Sequence, residues 1–168
     1  MSYKLVRMGG VRWLDEDEER AWRAYRQMRT LLDLQIARDL ARDSGLSEAD
    51  YDVLSHLSEA RPHEYRVNDL AERMRWSKSR LSHQLTRMEQ RGLVTREECA
   101  GDARGATVAL TPAGSRTVRR AAPDHVRSVR RHFIDLLSPR EIKTLSTFAS
   151  RIADRLSGAD MPDRPSNG

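Results

Sequence analysis

The sequence predicts a mainly α-helical protein with a small β-wing, and three observations predict it. Apolar residues recur at helical spacing along most of the chain. Between residues 93 and 110 that spacing shortens to two around a glycine-flanked turn. Aromatic residues make up 5% of the chain against 33% charged, a balance that suits solvent-facing helices better than a β-sandwich. At 168 residues there is room for one domain, or one domain with an oligomerising appendage.

Residues 1–14 carry Gly9-Gly10 without a clear period and read as an N-terminal extension. Acids follow from Asp15 to Glu19, where a helix N-terminus favours negative charge. Trp22, Tyr25, Met28, Leu32, Ile36 and Leu40 continue at helical spacing up to a Ser44-Gly45 stop. A helix over residues 15–42 spans roughly 40 Å. That is too long to bury whole in so small a domain, so part of it is expected to pack on a second chain.

Ser47-Glu-Ala-Asp50 has the form of a capping box and opens a second helix, with Tyr51, Val53, Leu54 and Leu57 inward and Arg61-Pro62 as its end. A short third helix fits VNDLAERM, residues 67–74. Arg75-Trp76 interrupts it, Ser77 caps a fourth helix reaching Arg91, and Gly92 supplies a left-handed terminator. Leu93 to Thr95 start one strand, Val108 and Leu110 belong to another, and Gly101 to Gly105 turn the chain between them. Thr111-Pro112 opens a fifth helix with an apolar stripe of Val118, Ala122, Val126, Val129, Phe133 and Leu137. Pro123 falls inside it and is expected to kink or split it. Ser138-Pro-Arg-Glu141 opens a sixth, with Leu145, Phe148, Ala149, Ile152 and Leu156 on one face. Residues 158–168 read as a loose tail.

The centre of the chain thus runs helix, tight turn, helix, strand, loop, strand. On the fourth helix Leu81, Leu85 and Met88 point inward, while Ser79, Ser82, His83, Thr86, Arg87 and Gln90 share the opposite side and Ser77, Lys78 and Arg80 lie near its start. No carboxylate occurs there before Glu89. Hydroxyls, an imidazole and cations suit phosphate oxygens and base edges in a DNA major groove, although a solvated helix that merely lacks acids has the same pattern. The hairpin adds Arg104 near its tip, placed to enter a minor groove. Asp102 would hold either Arg104 or Arg96 in one rotamer; an ordinary Asp-x-x-Gly turn is the plainer alternative. Helix–turn–helix followed by a wing is more specific than either part and points to double-stranded DNA.

At these residues the chain resembles the MarR family of bacterial transcription regulators. The resemblance is carried by D-L-A at 69–71, the S-x-S start of the fourth helix, R-G-L-V at 91–94, and D-x-R-x-x-x-V-x-L-T-x-x-G from Asp102 to Gly114. It covers about residues 47–156. It implies a winged helix-turn-helix domain plus a helical dimerisation region built from N- and C-terminal helices. Within one domain over 15–157, residues 47–111 would bind DNA and 15–45 with 112–157 would pair two chains. Leu145, Phe148, Ile152 and Leu156 would then lie in the dimer interface. The DNA contacts would fall to Ser77, Lys78, Ser79, Arg80, Ser82, His83 and Arg87 on the recognition helix and to Asp102 and Arg104 on the wing. Family members bind pseudo-palindromic operators as homodimers, usually as repressors. Many release DNA when a small, often phenolic or anionic ligand enters a cleft between the two regions. This chain departs from the pattern at Arg75, where a turn glycine is common, and at the third helix, which lacks a Ser/Thr start.

The other signals are bland. A net charge of +5 permits a polyanionic partner without requiring one, and its source is 27 Arg against 3 Lys. The fifth helix concentrates arginines between Arg116 and Arg131, best read as a solvated face pairing partly with acids of the first helix. None of the five histidines forms an HxxxH or HExxH pattern, so no metal or other cofactor is expected. No nucleophile triad, phosphate loop or dinucleotide fingerprint appears, so no enzyme is expected. No stretch approaches a membrane helix, and the lone Cys99 fits a reducing cytoplasm and reads as an incidental surface thiol. Two alternatives to an operator reader stay open: a winged helix used for protein–protein contact, and a non-specific nucleoid-type binder.

Overall fold

The computed structural model describes residues 11–98 and 106–158. Helix α1 runs Glu16–Ser44, α2 Glu48–Glu59, strand β1 Glu64–Arg66, α3 Val67–Arg73, α4 Lys78–Gln90, β2 Val94–Glu98, β3 Ala106–Leu110, α5 Pro112–His132 and α6 Pro139–Gly158, with a 3-10 turn at Ile134–Leu136 before the last. The sheet is antiparallel in the order β1-β3-β2, with Tyr65 and Arg96 both opposite Val108. Strand β1 has no signal of its own in the sequence. Three residues, Glu-Tyr-Arg, are too few to show alternation, and the strand exists because β3 offers it a free edge.

The caps act as their residue types predict. Asp15 accepts from the backbone N–H of Asp17 and Glu18 at 3.0 and 2.8 Å, and Glu18 returns a bond to Asp15 N–H at 3.0 Å. Gly45 ends α1 at φ 67°, a left-handed conformation that glycine adopts without a Cβ penalty. Ser47 and Asp50 form the second capping box, Ser77 accepts from Arg80 N–H, and Ser138 with Glu141 opens the last helix. Arg66 places no side-chain cap on α3, as its departure from Ser/Thr implies.

The core lies between α2, α3, α4, the sheet and the first half of α5. Val53, Leu54, Leu57, Leu70, Leu81, Leu85, Met88 and Val108 are fully enclosed. Thr111 fastens the base of the wing: its hydroxyl donates to the Gly92 carbonyl at 2.7 Å and accepts from Gly114 N–H at 2.9 Å. Gly114, the last residue of the wing motif, packs so close to the Leu93 backbone that a Cβ would meet the Leu93 carbonyl oxygen at 1.9 Å.

Helix α5 departs from the sequence reading in two respects. It is not split at Pro123 but runs on as one helix through that exposed residue, where the carbonyl left unpaired can be hydrated. Its inward face is Gly114, Val118, Ala121 and Ser128, whereas Val126 is exposed. The periodic stripe taken from apolar residues alone missed that the helix seats on α1 through a serine. The helix also stops at His132, short of Phe133 and Leu137.

Candidate nucleic-acid interface

The turn between α3 and α4 is built by Arg75 at φ 54°, with Arg75 N–H donating to Glu72 O at 3.0 Å and Trp76 N–H to Ala71 O at 2.9 Å. A position that favours glycine is thus filled by an arginine in the left-handed region. Trp76, half-buried against the core, lies under the Arg80 guanidinium at 3.9 Å. Stacking of this kind holds the cation's plane.

From Ser77 onward the recognition helix presents the predicted side chains. Ser77, Lys78, Ser79, Arg80, Ser82, His83, Thr86, Arg87 and Gln90 are all exposed, while Leu81, Gln84, Leu85 and Met88 are buried. Arg87 is not a free cation: its guanidinium donates to Gln84 Oε1. Gln84 in turn donates to Asp50 Oδ1 at 2.7 Å, and Arg91 donates to Asp50 Oδ2 at 2.7 Å. Burial pushes the Asp50 carboxyl up, and the donors of Ser47 and Arg91 outweigh it, leaving it below the ordinary carboxylate range. Sequence reading saw Asp50 only as a cap. Its second role joins residues 34 and 41 positions away, and no local pattern announces such a contact.

Glu89 pairs with the wing. Arg96, on β2, donates from Nε and Nη2 to Glu89 Oε2 at 3.0 and 2.6 Å and reaches Thr86 Oγ1 at 3.3 Å. Arg96 thus has a carboxylate partner on α4. Asp102, Arg104 and Cys99 lie outside the described residues. The pairing holds Glu89 below its usual range through the Arg96 guanidinium, so the one acid of the helix is neutralised within the fold. The remaining exposed face is all donors and cations.

Away from this face, Asp39 joins α1 to α5. Its carboxylate, enclosed in the fold, accepts from Ser128 Oγ at 2.7 Å, His132 Nε2 at 2.9 Å, Gln35 Nε2 at 2.9 Å and Arg42 Nη1 at 2.9 Å. The Ser128 bond leads in bringing it down to about 2 against the opposing effect of burial. Of the α5 arginines, Arg127 pairs with Asp124 and Arg130 with Asp135. Asp43 of α1, held below its usual range chiefly by its bond from Arg42, is also lowered by the Arg127 charge, and Ser128 and His132 bond Asp39 of the same helix. His125 stacks on Tyr51 with ring centroids 4.3 Å apart, and its Nδ1 is buried without a hydrogen-bond partner. Burial lowers its pKa, with Asp52 acting in the opposite direction. Among the described residues no group of histidines, cysteines and acids is placed to hold a metal ion, and no helix is long and apolar enough to cross a membrane.

The residues suggested for the dimer interface lie on α6, which buries none of its residues within the chain. Leu145 is half-buried, and Phe148, Ile152 and Leu156 are 39%, 52% and 67% exposed. Trp22, Tyr25, Met28, Leu31 and Leu34 of α1 are likewise exposed.

The MarR family pattern matches residues 44–105. Among solved structures, AbsC, a MarR family transcriptional regulator from Streptomyces coelicolor, is 46% identical, with 88% of this chain and 99% of that one covered at a TM-score of 0.83. Sco3205, a MarR family transcriptional regulator from the same organism solved in complex with DNA, is 35% identical over 94% of this chain and 97% of that one, with a TM-score of 0.84. An uncharacterized HTH-type transcriptional regulator of Bacillus cereus is 25% identical over 128 residues, covering 76% of this chain and 84% of its own.

Proposed function

The chain belongs to the MarR family of DNA-binding transcriptional regulators, and from that premise we propose that it acts as a homodimeric repressor on a pseudo-palindromic operator. Each protomer would lay α4 in a major groove and Arg104 of the wing in the adjoining minor groove. Ser77, Lys78, Ser79, Arg80, Ser82, His83 and Arg87 would make the helix contacts, and Asp102 would steady the wing arginine. The observation that carries this reading is the exposed face of α4, a continuous set of hydroxyls, imidazole, amide and cations whose one nearby acid, Glu89, is occupied by Arg96.

Pairing of two chains is supported by the large apolar side chains that α1 and α6 each leave uncovered, more than isolated exposed residues would require. On this reading residues 15–45 and 112–157 form the dimerisation frame and 47–111 the DNA-binding part. Release by a small aromatic or anionic ligand is the remaining element of this reading.

The deciding experiment is genomic footprinting with the purified protein, followed by titration of a recovered site at several salt concentrations. On the order of seven neutralised phosphates per dimer gives a slope of log K on log salt of about −6. Equal affinity for recovered and bulk DNA would leave only a non-specific binder.

A further inference from the structure

We propose that Asp50 is a positioning residue for DNA reading, its buried carboxylate setting the rotation and axial position of α4 through Gln84 and Arg91. The inference rests on the reading of α4 as the base-reading helix.

The core contacts of α4 come from Leu81, Leu85 and Met88, all fully buried. Apolar burial is non-directional. It decides how deeply the helix sits but tolerates a small roll or slide. Base reading tolerates neither, since contact groups must be held within about 0.5 Å and 10–20° of their productive geometry. Directional bonds are what supply the difference.

Asp50 supplies them at two points. Gln84 Nε2 donates to Oδ1 from the middle of α4, and Arg91 Nη1 donates to Oδ2 from its end, both at 2.7 Å. The donors start two helical turns apart, roughly 10 Å along the axis, so together they fix both rotation and translation. The acceptor is itself locked, because Asp50 Oδ2 also accepts from Ser47 N–H at 3.0 Å and Ser47 Oγ at 2.8 Å.

Gln84 is the telling residue. It is 2% exposed and sits in the same helix face as three large apolar side chains. An amide there has a desolvation cost that leucine or methionine would avoid. Stability alone gives no reason for a glutamine, whereas a bond of defined direction does. Its carbonyl accepts from Arg87, which carries the anchor to a side chain on the exposed face. The other nitrogen of Arg91, Nη2, donates to the carbonyl of Gly45 at 3.2 Å, where α1 ends. The same guanidinium therefore ties the recognition helix to the end of the long helix as well as to α2.

The test starts with a duplex enriched from a random pool by the wild-type protein. Wild type, Asp50→Asn and Gln84→Met are then titrated by fluorescence anisotropy against that duplex and a scrambled one of equal length, with thermal melts showing that each is folded at the assay temperature. Each variant should lose about tenfold in the ratio of the two affinities, the scale of one misaligned base contact. Affinity for the scrambled duplex should stay within about twofold, since the phosphate-binding cations remain. The double variant should lose no more than the worse single one, because both break one anchor. An unchanged ratio overturns the inference, as does an equal loss on both duplexes, which would mark Asp50 as structural only. Should Asp50→Asn melt below the assay temperature, Gln84→Met decides alone. A wild-type protein that enriches no sequence sinks the reading of α4 itself, a failure distinct from an unchanged ratio.

Discussion

The two halves of the chain treat the same kind of pattern in opposite ways. In α2 and α4 the apolar residues at helical spacing are buried within the chain, Leu54, Leu57, Leu81 and Leu85 among them. In α6 the spacing is as regular, yet the helix buries none of its residues, and much of α1 is left in the same condition. Amphipathic periodicity shows that a face is meant to be covered. It carries no information on whether the cover is the same chain or another. The apolar faces of α2 and α4 are covered within one copy, whereas those of α6 and much of α1 are left uncovered, as the proposed pairing of two chains requires.

The largest expected effect separates these cases directly. Leu85→Ala opens a cavity in a closed core and should cost about 4 kcal/mol in urea unfolding, independent of protein concentration. Ile152→Asp, on the exposed face of α6, should leave the core of a single chain intact and instead weaken association by about 3 kcal/mol, the scale of a strong interface residue. Sedimentation would then show monomer at concentrations where wild type is dimeric, and the melting temperature would lose its concentration dependence. Unaltered sedimentation for Ile152→Asp would break the comparison.

Gly114 lies in the first turn of α5, packed on Leu93 just ahead of β2. A methyl group there would face the Leu93 carbonyl oxygen at 1.9 Å and its carbon at 2.9 Å, both backbone atoms that cannot swing aside. Gly114→Ala should therefore cost about 3 kcal/mol, the upper end for overpacking. Because the same contact seats the wing through Thr111, operator affinity should fall further than stability loss alone explains. A melting curve like that of wild type would mean that the wing base is looser than its hydrogen bonds imply.

A polar joint fastens α1 to α5, and it responds to pH. Asp39 is ordinarily a carboxyl of 3.8 and is held at about 2 by its partners. A depressed carboxyl stabilises the fold fully above its unfolded value and loses that contribution as pH falls through the folded one. Wild type should therefore shed this part of its stability between about pH 4 and about pH 2. Asp39→Asn should be less stable by about 2 kcal/mol at neutral pH, from weakened charge-assisted bonds to Ser128, His132 and Arg42. It should also lack the share of Asp39 in the acid-side slope, while those of Asp50 and Glu89 remain. Parallel pH profiles for the two proteins would remove Asp39 from the joint.

What the sequence disclosed follows the reach of each interaction. Caps and terminators act over three or four residues, so Ser47, Ser77, Gly45, Gly92 and Ser138 are legible, and so is the exposed face of α4. Contacts between distant segments are not. The Asp50–Gln84 and Asp39–Ser128 bonds join residues 34 and 89 positions apart, and β1 owes its existence to a partner strand more than forty residues later. The Arg96–Glu89 pair joins β2 to α4, and nothing local in the sequence marks it. Local chemistry at Pro123 allows a split that the continuous α5, packed on α1 and α2, does not show.

The smallest expected effect lies in the turn that introduces the recognition helix. Arg75 stands at φ 54°, where a Cβ approaches the following carbonyl and costs an L-residue about 1 kcal/mol. Glycine removes that cost but gives the unfolded chain more freedom, which cancels part of the gain. Arg75→Gly should then stabilise the protein by only about 0.5 kcal/mol, read as a slightly higher urea midpoint at unchanged slope. The backbone bonds from Arg75 to Glu72 and from Trp76 to Ala71 do not depend on the side chain, so the turn itself should persist. If the variant is instead less stable, the side chain's contacts within the fold outweigh the strain. If it is more stable and binds operator with a shallower salt slope, the strained turn holds a phosphate-binding cation at the mouth of α4.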